Sequence, residues 1–374
     1  MLPAGVVVGS SIVIAVEATT GDDGSVDLPV TPPIAPMLAK AVSAVPAQPE
    51  GDLEWSYEPK WDGFRALVFR DGDEVIISSR GGKDLARYFP EVVAAVREEL
   101  PDKVVLDGEI GVPALIDGTH RLDWDSLSQR IHPAASRVAM LAMKTPAIFI
   151  GFDALALGSR SVIDQPFATR REVLLEAAGN RRGQRCHVSR VTTDPEMAQK
   201  WFSAFEGAGL DGVVGKRLAG EYLQNKREMV KIKHKRTADC VVIGYRVHKS
   251  GVGLGSMLLG LYYQGSLRMV GGSGSFTDAK RKELQAMFEP MRTDPDKAAP
   301  GEPTRWRSEK SGEWIPIRPE LVAEFAYDQM ENGRFRHTVK FVRWRPDRDP
   351  TSCGYDQLEV PLTYDLHDVL EGEG

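Results

Sequence analysis

Apolar positions along this chain fall mostly into short runs with the period of strands, separated by turn residues, and only a few stretches carry helical spacing. Ala66-Leu67-Val68-Phe69-Arg70 and Val75-Ile76-Ile77-Ser78 flank Asp71-Gly72, and an Asp-Gly between β-rich runs predicts a hairpin. Val104–Val112 predicts a strand in which Asp107 and Glu109, two apart, share one face. Ile148–Leu155 reads as a buried strand, and Leu210–Arg217 and Met229–Lys233 as two more. Helices are expected over Glu91–Leu100 behind Pro90, over Arg170–Ala178 and over Asp194–Phe205. The pattern changes after Thr237. Val241–Arg246, Met257–Tyr263, Leu267–Val270, Glu324–Tyr327 and Val339–Arg345 are short strands around one helix, Asp278–Phe288. Such a series fits a small OB-type barrel, and the whole chain an α+β class.

Length agrees with that break, because 374 residues suggest about two domains. Pro29, Pro32, Pro33, Pro36, Pro46 and Pro49 keep the entry extended, and the folded body is expected to begin near Thr31. Val6–Val16 is apolar but broken by Gly9, Ser10 and Ser11, with no Lys or Arg before it. It is too short to span a bilayer and lacks a basic start, so 1–30 reads as a mobile extension. Three scattered cysteines without a CxxC pair fit a reduced, cytoplasmic protein.

The net charge of −6 argues mildly against a nucleic-acid partner. Its distribution argues otherwise. Lys226, Arg227, Lys231, Lys233, Lys235 and Arg236 are opposed only by Glu228, and Arg334, Arg336, Lys340, Arg343, Arg345 and Arg348 interleave with Phe335, Phe341 and Trp344. Asp356, Glu359, Asp365, Asp368, Glu371 and Glu373 make the tail acidic and hide both patches in the total.

Candidate chemistry centres on Glu58-Pro59-Lys60-Trp61-Asp62-Gly63-Phe64-Arg65. A lysine that captures a nucleotide must attack as the neutral amine, and burial beside Arg65 would disfavour its charged form. Gly63, without a Cβ, lets backbone and ligand approach closely. The alternative is a strand entry in which Lys60 and Asp62 are solvated charges. Arg80, between Ser79 and Gly81-Gly82, holds either a ribose or phosphate, or only a turn. Glu109 suits either a divalent cation or a structural salt bridge. Phe152 either stacks on a base or fills core. Lys231 and Lys233 share a strand face and repel unless an anion such as a triphosphate lies between them, although a solvated charge run remains the alternative.

In chain order these motifs, together with Leu106-Asp107-Gly108-Glu109, Gly151-Phe152-Asp153, Asp211-Gly212-Val213-Val214-Gly215-Lys216 and Arg343-Trp344-Arg345-Pro346-Asp347-Arg348, resemble the covalent nucleotidyltransferase superfamily. Within it they look like ATP-dependent DNA ligases, most closely the compact ligase C type of mycobacteria and related bacteria. The resemblance runs from about Thr31 to Pro350. It implies an adenylation domain over 31–237 and an OB-fold domain with an acidic tail over 238–374.

It also implies that Lys60 carries AMP from ATP, that Glu58 contacts the adenine amine and that Phe152 stacks on the ring. Arg65 and Arg80 would bind ribose and the 5′-phosphate side, and Lys216, Lys231 and Lys233 the phosphates. Glu109 and Asp211 would hold a divalent metal, magnesium or manganese, while Arg343 and Arg345 would orient pyrophosphate from a swinging barrel. Nicked double-stranded DNA is the implied partner, with a DNA-end-binding protein or repair polymerase beside it and a monomeric, nucleoid-associated enzyme as the expected form. Two departures stand out: Asp211 replaces the family's usual glutamate, and Arg348 its usual lysine. An RNA ligase or capping-type guanylyltransferase shares the lysine motif. A non-catalytic nucleic-acid-binding scaffold is the reading from another class.

Overall fold

The apolar runs become three main sheets in the computed structural model, which describes residues 26–51, 53–179, 185–294, 313–331 and 333–371. The first has the strand order Ala39–Ala41, Met229–Ile232, Val213–Arg217, Trp55–Pro59. The second runs Cys186–Val188, Ile148–Leu157, Lys103–Gly111, Phe64–Asp71, Glu74–Ser79. Its central strands are apolar almost throughout because both faces are covered, and Ile148–Ala156 is buried without interruption. The predicted hairpin forms with Asp71 opposite Glu74, so its two-residue loop is Gly72-Asp73, with Gly72 at φ +59. A left-handed first position is what glycine allows there.

Expected helices appear at Pro90–Glu99, Phe167–Ala178, Pro195–Ala204 and Asp278–Phe288. Their ends follow capping chemistry. Pro90 opens the first, Asp194 accepts from the Glu196 amide to open the third, and Thr277 accepts from the Lys280 amide to open the fourth.

The third sheet takes the order Ser266–Ser273, Leu254–Tyr263, Arg236–Val247, Val322–Tyr327, Lys340–Trp344. Its two outer strands form no ladder with each other. The Val339 amide nevertheless donates to the Gly272 carbonyl at 3.1 Å, so the sheet curls into an incompletely closed barrel. Tyr245, Leu259, Leu261, Leu284, Phe288 and Phe325 fill it.

Two placements differ from expectation. Most of the 1–30 extension lies outside the described residues, but Leu28 and Val30 are buried in one core cluster with Leu67 and Phe69, so the packed chain starts before Thr31. The acidic tail does not trail from the barrel. Its helix Leu366–Glu371 buries Leu366 and Val369 against the cluster of Trp201 and Phe205 in the N-terminal half.

The pattern also did not reveal two fully buried arginines. Arg130 pairs with Glu91 at 2.5 Å, and Arg170 with Asp153 at 2.7 Å. Arg170 further donates to the Gln165 and Gly220 carbonyls. Replacing Arg170 by leucine strands a buried carboxylate, so urea unfolding should show a loss of about 3–5 kcal/mol. An unchanged midpoint would contradict this account of the core.

Candidate active site

Lys60 sits in the short connection between the strands Trp55–Pro59 and Phe64–Asp71, where one sheet hands the chain to another. Its amide donates to the Gly212 carbonyl at 2.9 Å, and its carbonyl accepts from the Asp211 amide at 2.9 Å. This exchange places Asp211 beside Lys60 although 151 positions separate them. Trp61 anchors the connection by burial and by donating its indole N–H to Ser189. Gly63 is needed for close approach, but to the protein's own backbone: a Cβ there would lie 2.1 Å from the Ile110 carbonyl oxygen. Gly212, at φ +133, would likewise meet the Ile232 oxygen at 2.0 Å.

The cleft next to Lys60 is lined by residues singled out in five of the sequence motifs. Glu58, Lys60, Arg65, Arg80, Glu109, Phe152 and Lys231 all contribute. Pro36–Ala39 forms one wall, because Ala39–Ala41 pairs in parallel with Met229–Ile232. Arg227 is a further cation in the lining that the motifs did not single out, though it stood in the charge run.

Arg65 is not free to repel Lys60. It makes two hydrogen bonds to Asp107, at 2.6 and 2.5 Å, and Tyr222 donates to the same carboxylate. Its guanidinium carbon lies 4.6 Å from the centre of the Phe152 ring. Burial works against the charged guanidinium, but Asp107 outweighs it and raises the group above its ordinary value. Tyr222 is a supporting residue that sequence reasoning missed; nothing in its local pattern distinguishes it from core.

The Lys60 ammonium reaches Asp211 Oδ2 at 2.7 Å, and Lys233 reaches the same oxygen at 2.5 Å. Burial pulls the Lys60 amine down, yet Asp211 outweighs it and the group titrates above an ordinary lysine. The expected neutral amine is therefore not the state of the free protein, for the simple reason that the nearest charge is an acid. Burial raises Asp211 as well, but the two lysines more than offset it. Lys231 is the lysine held down, by burial and by Lys60, Lys233 and Arg80. Burial lifts Glu109 to about 7, against the pull of Lys60 and Arg65, and its carboxylate accepts from the Gly63 amide.

Lys216 does not line this cleft. Buried behind the cleft, it pairs with Glu58 at 3.0 Å and donates to the Phe152 carbonyl at 2.7 Å. Its ammonium lies 4.8 Å from the Phe152 ring centre, and Asp153 stands 3.7 Å away. Burial raises Glu58 above the usual carboxylate range, with Lys216 opposing.

Arg343 and Arg345 do not reach this cleft. Arg343 pairs with Glu324, and Arg345 with Asp239 and Asp347 on the barrel. Nor do the barrel's cations form one open surface. Phe335 is buried, Arg348 lies 3.4 Å from Asp239, and Arg336 is paired with Asp62 across the two halves while stacking 3.9 Å over Trp124.

Residues 36–233 match the ATP dependent DNA ligase domain, and residues 250–348 the ATP dependent DNA ligase C terminal region. DNA ligase C1 of Mycolicibacterium smegmatis is 62% identical over 351 residues, 92% of this chain and 99% of that protein. DNA ligase C of Mycobacterium tuberculosis is 51% identical, again over 92% of this chain and 99% of the relative. Among solved structures, one from a study of Lig E DNA ligases superposes with a TM-score of 0.51 at 17% identity, covering 81% of this chain and 99% of that one, a likeness of fold. The cleft around Lys60 is thus set in a chain that belongs to the ATP-dependent DNA ligases.

Proposed function

We propose that Lys60 is the residue that becomes adenylylated, and that the cleft beside it binds ATP with the base toward Phe152 and Glu58 and the phosphates toward Lys231. One observation carries this reading. Arg80, Arg227 and Lys231 line the cleft with no ion-paired acid among the described residues, so the site holds positive charge in search of an anion next to a candidate nucleophile. Phe152 adds an aromatic ring to the same lining, and Lys216 holds Glu58 in place as an acceptor for an exocyclic amine.

In the first step the Lys60 nitrogen bonds to the α-phosphorus, the α–β bridging oxygen leaves with pyrophosphate, and the amine gives up its proton. The 5′-phosphate of a nick then takes AMP from the lysine. The 3′-hydroxyl finally attacks that phosphate and expels AMP. Each transfer depends mainly on alignment and charge neutralisation.

Glu109 and Asp211 are hard oxygen donors whose charges both act on Lys60, and they suit magnesium or manganese. Such an ion would supply charge neutralisation at the phosphates. Asp211, shorter than the family's glutamate, has the second task of holding Lys60 and Lys233 in place. Arg343 and Arg345 reach pyrophosphate only if the barrel rotates, and that motion must break the Arg336–Asp62 pair. We further propose repair of nicked duplexes as the role, by a monomer in the cytoplasm at the nucleoid, with a DNA-end-binding protein or repair polymerase as partner. No helix among the described residues is long and apolar enough to cross a membrane.

Incubation with α-labelled ATP and magnesium should leave covalent label on the wild type and none on Lys60→Ala, and the wild type should seal a DNA nick. An unlabelled wild type overturns the assignment. Faster joining of RNA strands, or labelling by GTP in place of ATP, redirects it to another branch of the superfamily.

Glu109 gives a second test. Its folded carboxyl titrates at about 7 and its unfolded one near 4.5, so the ionised side chain costs stability above pH 7, and that cost fades as pH falls toward 4.5. Glu109→Gln should therefore raise the thermal midpoint at pH 8.5, raise it less at pH 5, and lose self-adenylylation. Equal midpoint shifts at both values would refute the buried-carboxylate account.

A further inference from the structure

The chain leaves the barrel after Leu358 and returns to the N-terminal half, where it meets the hairpin formed by Pro113–Ile116 and Thr119–Leu122. We propose that His120, Asp365 and His367 form a transition-metal site of the zinc class that pins this C-terminal segment to the adenylation half. One ligand atom from each residue lies within 4.8 Å of the other two. His120 Nδ1 stands 3.4 Å from Asp365 Oδ2, and the two imidazole rings lie 4.4 Å apart at 71°.

The carboxylate is already oriented. Its two oxygens accept from the backbone amides of His120 and His367, at 3.0 and 2.9 Å, so both histidines are tied to the acid they would share a metal with. Packing holds the segment in place independently of any ion, since Leu366 and Val369 are buried and Tyr364 lies 4.9 Å from Phe205, ring centre to ring centre. The protein therefore presents the donor set in folded form rather than leaving a metal to gather it.

Donor chemistry selects the ion. Two imidazoles and one carboxylate suit zinc or cobalt, whereas magnesium and calcium prefer all-oxygen sites. Donors at about 2.0–2.2 Å from a tetrahedral metal are separated by roughly 3.3 Å, close to the present His120–Asp365 spacing. Side-chain rotation of His367, an exposed residue, brings in the third donor, and the fourth position is open to water. The cluster belongs neither to the Lys60 cleft nor to its lining. Bridging two segments 245 positions apart, a bound ion opposes detachment of the tail and so adds a second tether to the barrel, beyond the connection at Lys233–Arg236.

The test uses the full chain without a histidine tag, stripped by chelator and then titrated with Co²⁺ and with Zn²⁺. The expected result is one equivalent bound by wild type, with the visible absorption of four-coordinate cobalt displaced by zinc, and a zinc-dependent rise in thermal midpoint with slower proteolysis of the C-terminal segment. His120→Ala and His367→Ala should lose that equivalent and both protections, while retaining self-adenylylation with magnesium. Equal metal stoichiometry in wild type and the His120→Ala/His367→Ala double variant overturns the proposal, as does a wild type that binds neither ion or that binds with no change in midpoint or proteolysis. Both histidines are partly or fully exposed, so their loss removes ligands without opening the core.

Discussion

A single carboxylate oxygen shared by two ammonium groups organises the centre of this molecule. Asp211 Oδ2 stands between Lys60 and Lys233, and the backbone exchange between Lys60 and the pair Asp211-Gly212 fixes that geometry before any side chain is chosen. Two strands from different parts of the chain must meet with no room for a Cβ at Gly212, and this is why a glycine follows the acid. If Lys60 is the nucleophile proposed above, this arrangement keeps it in reserve. While Asp211 faces it, the Lys60 amine holds its proton; once the acid's charge is drawn elsewhere, burial and the surrounding cations favour the neutral form.

Electrostatics in the cleft divides accordingly. Cations that support the architecture are compensated: Arg65 by Asp107, Lys216 by Glu58, Arg170 by Asp153. Arg80, Arg227 and Lys231, which line the cleft, have no ion-paired acid among the described residues, and burial, with Lys60, Lys233 and Arg80 adding repulsion, lowers the affinity of Lys231 for its proton. On the proposed reading the difference separates residues that hold the site from residues that would hold the substrate, and Lys216, to which the resemblance gave a phosphate role, is among the compensated cations.

Much of this was legible in the sequence because the motifs are local. Strand period put Asp107 and Glu109 on one face and Lys231 and Lys233 on another; Glu109 and Lys231 line the cleft, while Asp107 and Lys233 pair with Arg65 and Asp211 beside it. What the pattern could not show was pairing across distance. Arg65 next to Lys60 reads as repulsion until Asp107, reached through strand pairing, is seen to neutralise it. Tyr222, Arg130 and Arg170 carry no periodic signal, since an isolated polar residue in an apolar setting has the same local sequence whether or not it has a partner. The tail was misjudged for another reason. Leu366, Val369 and Leu370 have the spacing of an amphipathic helix, but the surrounding acids dominated the composition.

The position of the barrel follows from the same logic of compensated charge. Arg336 is nearly buried between Asp62 and the Trp124 ring, and Arg343 and Arg345 are occupied by acids of their own sheet. Moving the barrel over the cleft exchanges one set of ion pairs for another. Such an exchange is nearly balanced only if the incoming charge is as large as the charge given up, and on the proposed reading a triphosphate in the cleft would supply it. On the proposed reading, nucleotide in the cleft and barrel closure would be linked by electrostatic balance through Asp62, which Arg336 must release.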